Sequence, residues 1–469
     1  MKFKSSDDLF SWLLRFINLE SGQTPKSFRL DRMETLAALA GNPERCAPSI
    51  HIAGSKGKGS VTGMITAALE AEGYKPGRYM SPHVSDFRER LCVGSAFFDE
   101  AVYCAAGDEL REIVDVRLPQ AHSGLFDTSC DDGEAPTYFE LLTLLFFLCS
   151  RNAGCDALVV ETGMGGRLDS TNVVDPLVAV ISLIELEHTK FLGDTIAKVA
   201  GEKAGIIKNG KPLVLARQCG EALDVFTRKA HEKNSPLIYF PDTVEISGVR
   251  VHHNGTDFTL AAAPRRPAAP GCAGGPGCAA GQPLFPQALD LSIPIPGAVQ
   301  AENAALAAIA LKTAFPGIRD ESIRSGFEHF RIPARFEKLA DAPPLIIDGA
   351  HTPESAVLCL ETFRSLYGEG GVLLFGCASD KDEHAMAEIL RPCFSAIVIT
   401  TPGTFKASDP EKVYHAFAAG NAPDSGSKII IEKDTGAAIR IALELSRRHN
   451  LPLLATGSFY LAAEVRNFF

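Results

Sequence analysis

The chain has 469 residues, 46% of them apolar and 22% charged, with a formal net charge of −11. That length exceeds one ordinary core and implies two or three domains, while the acidic balance argues against a general nucleic-acid binder, which carries a basic excess. The longest apolar run, Leu141 to Cys149, falls far short of the ~20 residues a membrane span needs. The opening residues show no basic-then-apolar signal pattern, and the twelve cysteines lack paired metal spacing. The expectation is a cytoplasmic monomer with reduced thiols that works on small molecules, without nucleic-acid or membrane partners.

Leu30, Met33, Leu36 and Leu39 recur at helical spacing until Gly41-Asn42-Pro43 ends the pattern. A short strand, Ser49 to Ala53, then runs into Gly54-Ser55-Lys56-Gly57-Lys58-Gly59-Ser60. A helix follows, with Val61, Met64, Ile65, Ala68 and Leu69 on its apolar side and Gly73 as its cap. Pro76 to Met80 leads to Ser81-Pro82-His83, and an Asp/Gly-rich turn lies near Asp131. The helical run Tyr138 to Ser150 precedes a buried-type strand, Ala157 to Glu161, and a second glycine-rich loop, Thr162 to Asn172. Leu177 to Ile184 is a further β-run, followed by a helix through Val199 and Lys203 and short apolar runs at Leu213–Ala216 and Leu237–Phe240.

Residues 261–286, rich in Ala, Pro and Gly and containing Cys272 and Cys278, read as a flexible insertion. Gln300 opens another helix, and Arg331 to Phe336 reads as a linker. Beyond it the alternation resumes, with apolar runs at Leu345–Asp348, Val372–Phe375, Ala396–Ile399, Ile429–Ile431 and Leu453–Ala455. The pattern predicts an α/β protein of two domains. Residues 1–330 form an N-terminal, P-loop ATPase-like parallel-sheet domain, and 331–469 a smaller, Rossmann-like one. The active site is expected in the cleft between them.

The Gly54–Ser60 loop opens onto a helix N-terminus, where glycines turn backbone N–H groups inward and the helix dipole favours an anion. Lys58 is placed to reach terminal phosphates and Ser60 to offer a hydroxyl to magnesium. Its spacing is shorter than that of the common phosphate loop. Ser81, Glu161 and His188 each fall at a strand end, and such an oxygen-rich set with one nitrogen suits magnesium. Asp348 is placed to accept a ribose hydroxyl, and Arg335 to grip a γ-phosphate with its planar fork. Lys203, by its own chemistry, reads as a surface lysine.

Taken together, His51 to Ser60, Ser81-Pro82-His83, Glu161 to Asn172, Gly201 to Ile206, Asp348-Gly349-Ala350-His351 and Gly457-Ser458-Phe459-Tyr460 resemble the folylpolyglutamate synthase/dihydrofolate synthase family of the Mur ligase group. The resemblance runs from about Leu30 to the C-terminus. It implies that Gly54, Ser55, Lys56, Gly57, Lys58, Gly59 and Ser60 bind ATP, with Gln300, Asn303, Arg335, Asp348 and His351. It implies magnesium at Ser60, Ser81, Glu161 and His188, and a second ion at Lys203 once that lysine is carbamylated to N6-carboxylysine. Lys58, Lys203, His188 and Arg335 would be the catalytic set. Thr137, Tyr138 and Phe139 would lie near the pterin, and Ser458 near the incoming glutamate. The chain departs from the family pattern at Ser55-Lys56, Glu187, Ala334 and Thr352, where Thr-Asn, Asp, Gly and Asn are usual.

The implied reaction is ATP-dependent ligation of L-glutamate to a pteroate or folate carboxylate through an acyl phosphate, as a bifunctional dihydrofolate synthase/folylpolyglutamate synthase. Its substrates would be dihydropteroate or tetrahydrofolate, L-glutamate and ATP. A folylpolyglutamate synthase alone, a Mur-type peptidoglycan ligase and a nucleotide-switch protein are the other readings. The helical first fifty residues are short for the sugar-nucleotide domain a peptidoglycan ligase would carry. A switch protein would have no need of Arg335 and Asp348 on a second domain.

Overall fold

The computed structural model describes residues 2–19, 28–121, 135–264, 283–403, 406–419 and 428–469. Seventeen strands form three sheets among these residues. The first contains β1 (Ser49–Ala53), β2 (Pro76–Tyr79), β3 (Leu91–Val93), β4 (Ala96–Phe97), β5 (Ala157–Glu161), β6 (Val178–Ile181), β7 (Leu213–Leu215) and β8 (Leu237–Tyr239). Their order is β4-β3-β2-β5-β1-β6-β7-β8, parallel from β2 to β8 with an antiparallel ribbon, β3 and β4, at one edge.

Every residue of β1 and β5 is buried, because helices cover both faces of the sheet. On one face the helices Lys58–Glu72, Ala298–Ala314 and Asp320–His329 pack Val61, Met64, Ile309 and Phe327 into one core. Gly326 lets two of them cross closely, since a Cβ there would lie 2.5 Å from the Ala68 backbone. On the other face the helices Asp31–Leu39 and Tyr138–Ala153 bring Met33, Leu36, Leu141 and Phe146 against Leu158 and Val160.

A second, antiparallel sheet, β9 (Val244–His252), β10 (Gly255–Ala262) and β11 (Leu289–Ile293), adds Phe258, Leu260 and Leu291 to the first core. This sheet was not expected from the sequence. It also corrects the predicted insertion at 261–286: β10 extends to Ala262, and Phe285 is buried in the core. Residues 265–282, with Cys272 and Cys278, lie outside the described residues, as do the 21–25 break and the turn near Asp131. Two boundaries also move. The helix expected from Gln300 starts at Ala298, and the run 177–184 is a strand only over β6.

The third sheet, β12 (Glu337–Asp341), β13 (Pro344–Ile347), β14 (Gly371–Phe375), β15 (Phe394–Ile399), β16 (Lys428–Ile431) and β17 (Leu453–Thr456), has the order β12-β13-β17-β14-β15-β16. All neighbours are parallel except β12 with β13. Separate apolar clusters on its two faces, one around Leu373 and Phe375 and one around Leu374 and Ile347, make it a second α/β domain. No described helix is long and apolar enough to cross a membrane.

Candidate active site

The C-terminal ends of β1, β5, β6 and β13 open onto one shared cavity of about 1320 Å3. Every site residue singled out from the sequence lines it except Gly54, where the phosphate loop begins, and Lys203, which bonds the Gly54 carbonyl.

The loop leaves β1 at Gly54, whose φ is 151° and where a Cβ would come within 1.8 Å of Ser182 Oγ. Gly57 caps the following helix with a φ of 84°, and a Cβ there would sit 2.3 Å from Asn303 Oδ1. Only glycine fits either place. The Ser55 and Lys56 backbone N–H groups donate to the Leu183 carbonyl at 2.9 and 3.2 Å, and Ser55 Oγ donates to the Glu185 carbonyl at 3.0 Å. Asn303 in turn donates from Nδ2 to Gln300 Oε1 at 3.0 Å, one helical turn away.

Two ammonium groups converge on a single acceptor. Lys58 Nζ and Lys203 Nζ each donate to the Gly54 carbonyl at 2.8 Å, and Lys203 also pairs with Glu187 at 2.6 Å. Lys203 is 1% exposed, which corrects its reading as a surface lysine: its partner Glu187 lies on another loop. Burial pushes the Lys203 amine down to about 8 against the pull of Glu187. Burial works against the Glu187 carboxylate as well, but Lys58, Lys203 and His188 outweigh it and hold the group at about 2.

Glu161 ends β5 with 2% exposure, and its Oε2 has no hydrogen-bond partner. Burial raises its carboxyl to about 7, with Lys58 and Arg335 pulling the other way. That oxygen lies 3.7 Å from where a Cβ on Gly59 would sit, at the helix N-terminus. A buried carboxyl with an orphaned oxygen is costly and is relieved by a proton or by a cation. His188, at a φ of 48°, is held near 4 chiefly by burial, so it is the neutral imidazole that metals bind. The Ser60 and Ser81 hydroxyls line the same cavity as Glu161 and His188, and among the described residues no three His, Cys, Asp or Glu side chains cluster closely enough to hold a metal by themselves.

Across the cavity, Asp348 follows β13 and accepts from the Phe336 and Ala350 N–H groups, each at 2.8 Å. Burial raises its carboxyl, and the Arg335 guanidinium opposes that. His351 Nδ1 sits 2.8 Å from the Gly349 carbonyl, so it carries the proton and leaves Nε2 as an acceptor; burial pushes this ring to about 3. The Arg335 guanidinium lies 4.7 Å from the Phe459 ring centroid. Ser458 caps the helix Phe459–Phe468 by accepting from Leu461 N at 3.0 Å, and Thr137 caps Tyr138–Ala153 in a box with Glu140. The Phe139 ring covers Gly163, coming within 2.3 Å of a Cβ built there.

Sequence reasoning missed Arg32, which is 1% exposed and bonds both Glu140 oxygens at 2.9 and 2.8 Å in the cavity wall. Its only signal was a charge beside the apolar positions of a helix.

A family model for the Mur ligase glutamate ligase domain matches residues 334–459. The folylpolyglutamate synthase of Lacticaseibacillus casei is 31% identical over 441 residues, covering 93% of this chain and 93% of that protein. The chain belongs to the folylpolyglutamate synthase/dihydrofolate synthase family. The dihydrofolate synthase/folylpolyglutamate synthase of Bacillus subtilis is 30% identical over 470 residues, covering 99% of both chains. The solved folylpolyglutamate synthase of Mycobacterium tuberculosis, complexed with ADP and AMPPCP, superposes with a TM-score of 0.82 at 28% identity over 98% of each chain. The motif resemblance and the two-domain α/β architecture both stand, and membership in this family makes the chain a ligase. The peptidoglycan-ligase and nucleotide-switch readings give way to it.

Proposed function

We propose that this chain is a bifunctional dihydrofolate synthase/folylpolyglutamate synthase. It joins L-glutamate to the carboxylate of dihydropteroate or tetrahydrofolate at the expense of ATP. The pterin carboxylate attacks the γ-phosphorus, ADP leaves, and the glutamate amine displaces phosphate from the acyl phosphate through a tetrahedral intermediate. The observation that carries this reading is the buried Glu161 carboxylate, one oxygen unpartnered, beside a phosphate loop backed by two lysines.

Lys58 leaves the Gly54 carbonyl for the transferred phosphoryl group and offsets its charge, and Arg335 grips the same phosphate from the second domain. The Gly54–Ser60 backbone, Gln300 and Asn303 orient the nucleotide, and Asp348 and His351 hold its ribose and base. Two magnesium ions suit the donor set, one at Ser60, Ser81, Glu161 and His188 and one at Lys203 carried as N6-carboxylysine, and when bound they neutralise phosphate charge. An amine held near 8 has a neutral fraction that adds carbon dioxide and loses a proton, which favours that modification at neutral pH. Thr137, Tyr138 and Phe139 face the pterin and Ser458 the glutamate. Closure of residues 331–469 over residues 1–330 keeps water from the acyl phosphate. The enzyme acts as a cytoplasmic monomer.

The test is ADP release with L-glutamate and, separately, dihydropteroate and tetrahydrofolate. Release with both pterins is expected. Release with tetrahydrofolate alone would reduce the enzyme to a folylpolyglutamate synthase, and release with neither would overturn the reading.

A further inference from the structure

Lys56 lies inside the phosphate loop, yet its side chain leaves that loop for the other domain. Its Nζ donates to Thr352 Oγ1 at 2.9 Å, and Glu185 Oε2 stands 3.9 Å away. The three residues come from the loops after β1, β6 and β13, so one ammonium gathers strand-end loops from two sheets. Lys56 and Glu185 are 23% and 20% exposed, and Glu185 Oε2 has no hydrogen-bond partner.

The contact is poorly placed for stability. Thr352 is the N-cap of the helix Pro353–Tyr367, accepting from Ser355 N at 3.3 Å, so a lysine ammonium there sits at the positive end of a helix dipole. Burial is the main effect that disfavours the ammonium, and Arg335 and Lys58 add smaller like-charge repulsion. Glu185 and Glu187 pull the other way, each more strongly than Arg335 or Lys58 repels. An ammonium that is costly to bury and whose hydrogen bond crosses to a helix cap on the other domain is placed to join the two loops.

We propose that Lys56 is a positioning residue that ties the phosphate loop to the His351–Thr352 loop. The bridge sets the phosphate end and the base end of the nucleotide site in one register across the domain boundary. This rests on the assignment of the cavity as a nucleotide site. Lys56 acts here through Thr352 and not as a phosphate ligand.

The experiment is a double-mutant cycle on Mg·ADP affinity by calorimetry and on the KM for ATP, using Lys56→Met, Thr352→Val and both together. Each single variant should weaken nucleotide binding about tenfold, as loss of a charge-assisted hydrogen bond does. The double variant should be no weaker than the worse single, because both remove the same bridge. Thr352→Ser, which keeps the hydroxyl, should restore affinity, and Lys56→Met should leave the melting temperature unchanged or raised. The proposal is overturned if Lys56→Met weakens binding while Thr352→Val does not, which would make Lys56 a direct phosphate ligand. Effects that multiply in the double variant, or a lowered melting temperature with unchanged affinity, overturn it too. Wild-type protein that binds ADP but releases none of it with glutamate and either pterin would defeat the ligase reading and leave this cycle fully readable.

Discussion

The loops after β1, β5 and β6 and the loop after β13 face the same cavity, but they are built on opposite plans. On the first side, polar groups hold provisional partners: two lysines share the Gly54 carbonyl, and Glu161 Oε2 has none. On the second side, the polar groups are satisfied. Asp348 accepts from Ala350 in its own turn and from Phe336 twelve positions away, His351 bonds Gly349, and Thr352 caps its helix while also accepting from Lys56. The first arrangement leaves charges to be redirected when an anion arrives, and the second presents a surface set in advance. Under the proposed function, chemistry belongs to the first and recognition to the second.

The sharpest way to break the contrast is Lys58→Ala. It should cost on the order of 10^3-fold in kcat with folding intact, since it removes the charge aimed at the transferred phosphate; a wild-type rate would refute the phosphate-loop assignment. Lys203→Ala should lose on the order of 10^2-fold, and added short carboxylates should restore part of it in a turnover assay. A wild-type rate without them would refute the carbamate. On the recognition side, Asp348→Ala strands the buried Phe336 and Ala350 N–H groups and should cost about 2–3 kcal/mol in denaturant unfolding, with KM for ATP rising more than kcat falls.

Two smaller effects test the frame around the site. Fully buried His51 bonds Thr171 Oγ1 at 2.9 Å and is held near 3, against 6.5 for the free ring. The folded state therefore binds fewer protons than the unfolded chain between those values. Stability should be full above pH 6.5 and fall as pH drops toward 3, and His51→Gln should make that fall shallower in urea melts at stepped pH. His351, also near 3, adds to the same slope. The smallest change expected is from Ala334→Gly. Ala334 is buried with a φ of 54°, a conformation that costs a side chain roughly 1 kcal/mol, so glycine should raise the unfolding free energy by up to that amount in denaturant melts.

Much of the site was legible because its signals are local. The Gly54–Ser60 loop declares itself by three glycines and two lysines set between a strand and a helix, and Glu161 by ending an unbroken apolar run. Other features had no local signal. The small antiparallel sheet did have one, since β9 alternates apolar and polar residues on either side of Gly248 and β11 does so throughout, but β9 is largely exposed. The Arg32–Glu140 pair spans 108 positions, and each member alone looks like an ordinary charge on a helix.

By itself, the amino-acid order determined the α/β alternation, the family and the strand-end positions where chemistry would gather. Period, glycine placement and apolar runs are properties of a few adjacent residues. Only the tertiary structure decided that Lys203 is buried, that it shares one carbonyl with Lys58, that Glu161 keeps an unpartnered oxygen, and that Lys56 turns away from its own loop toward Thr352. A charge takes its energy from the groups packed around it, and in this chain those groups come from loops as far apart in sequence as 296 positions.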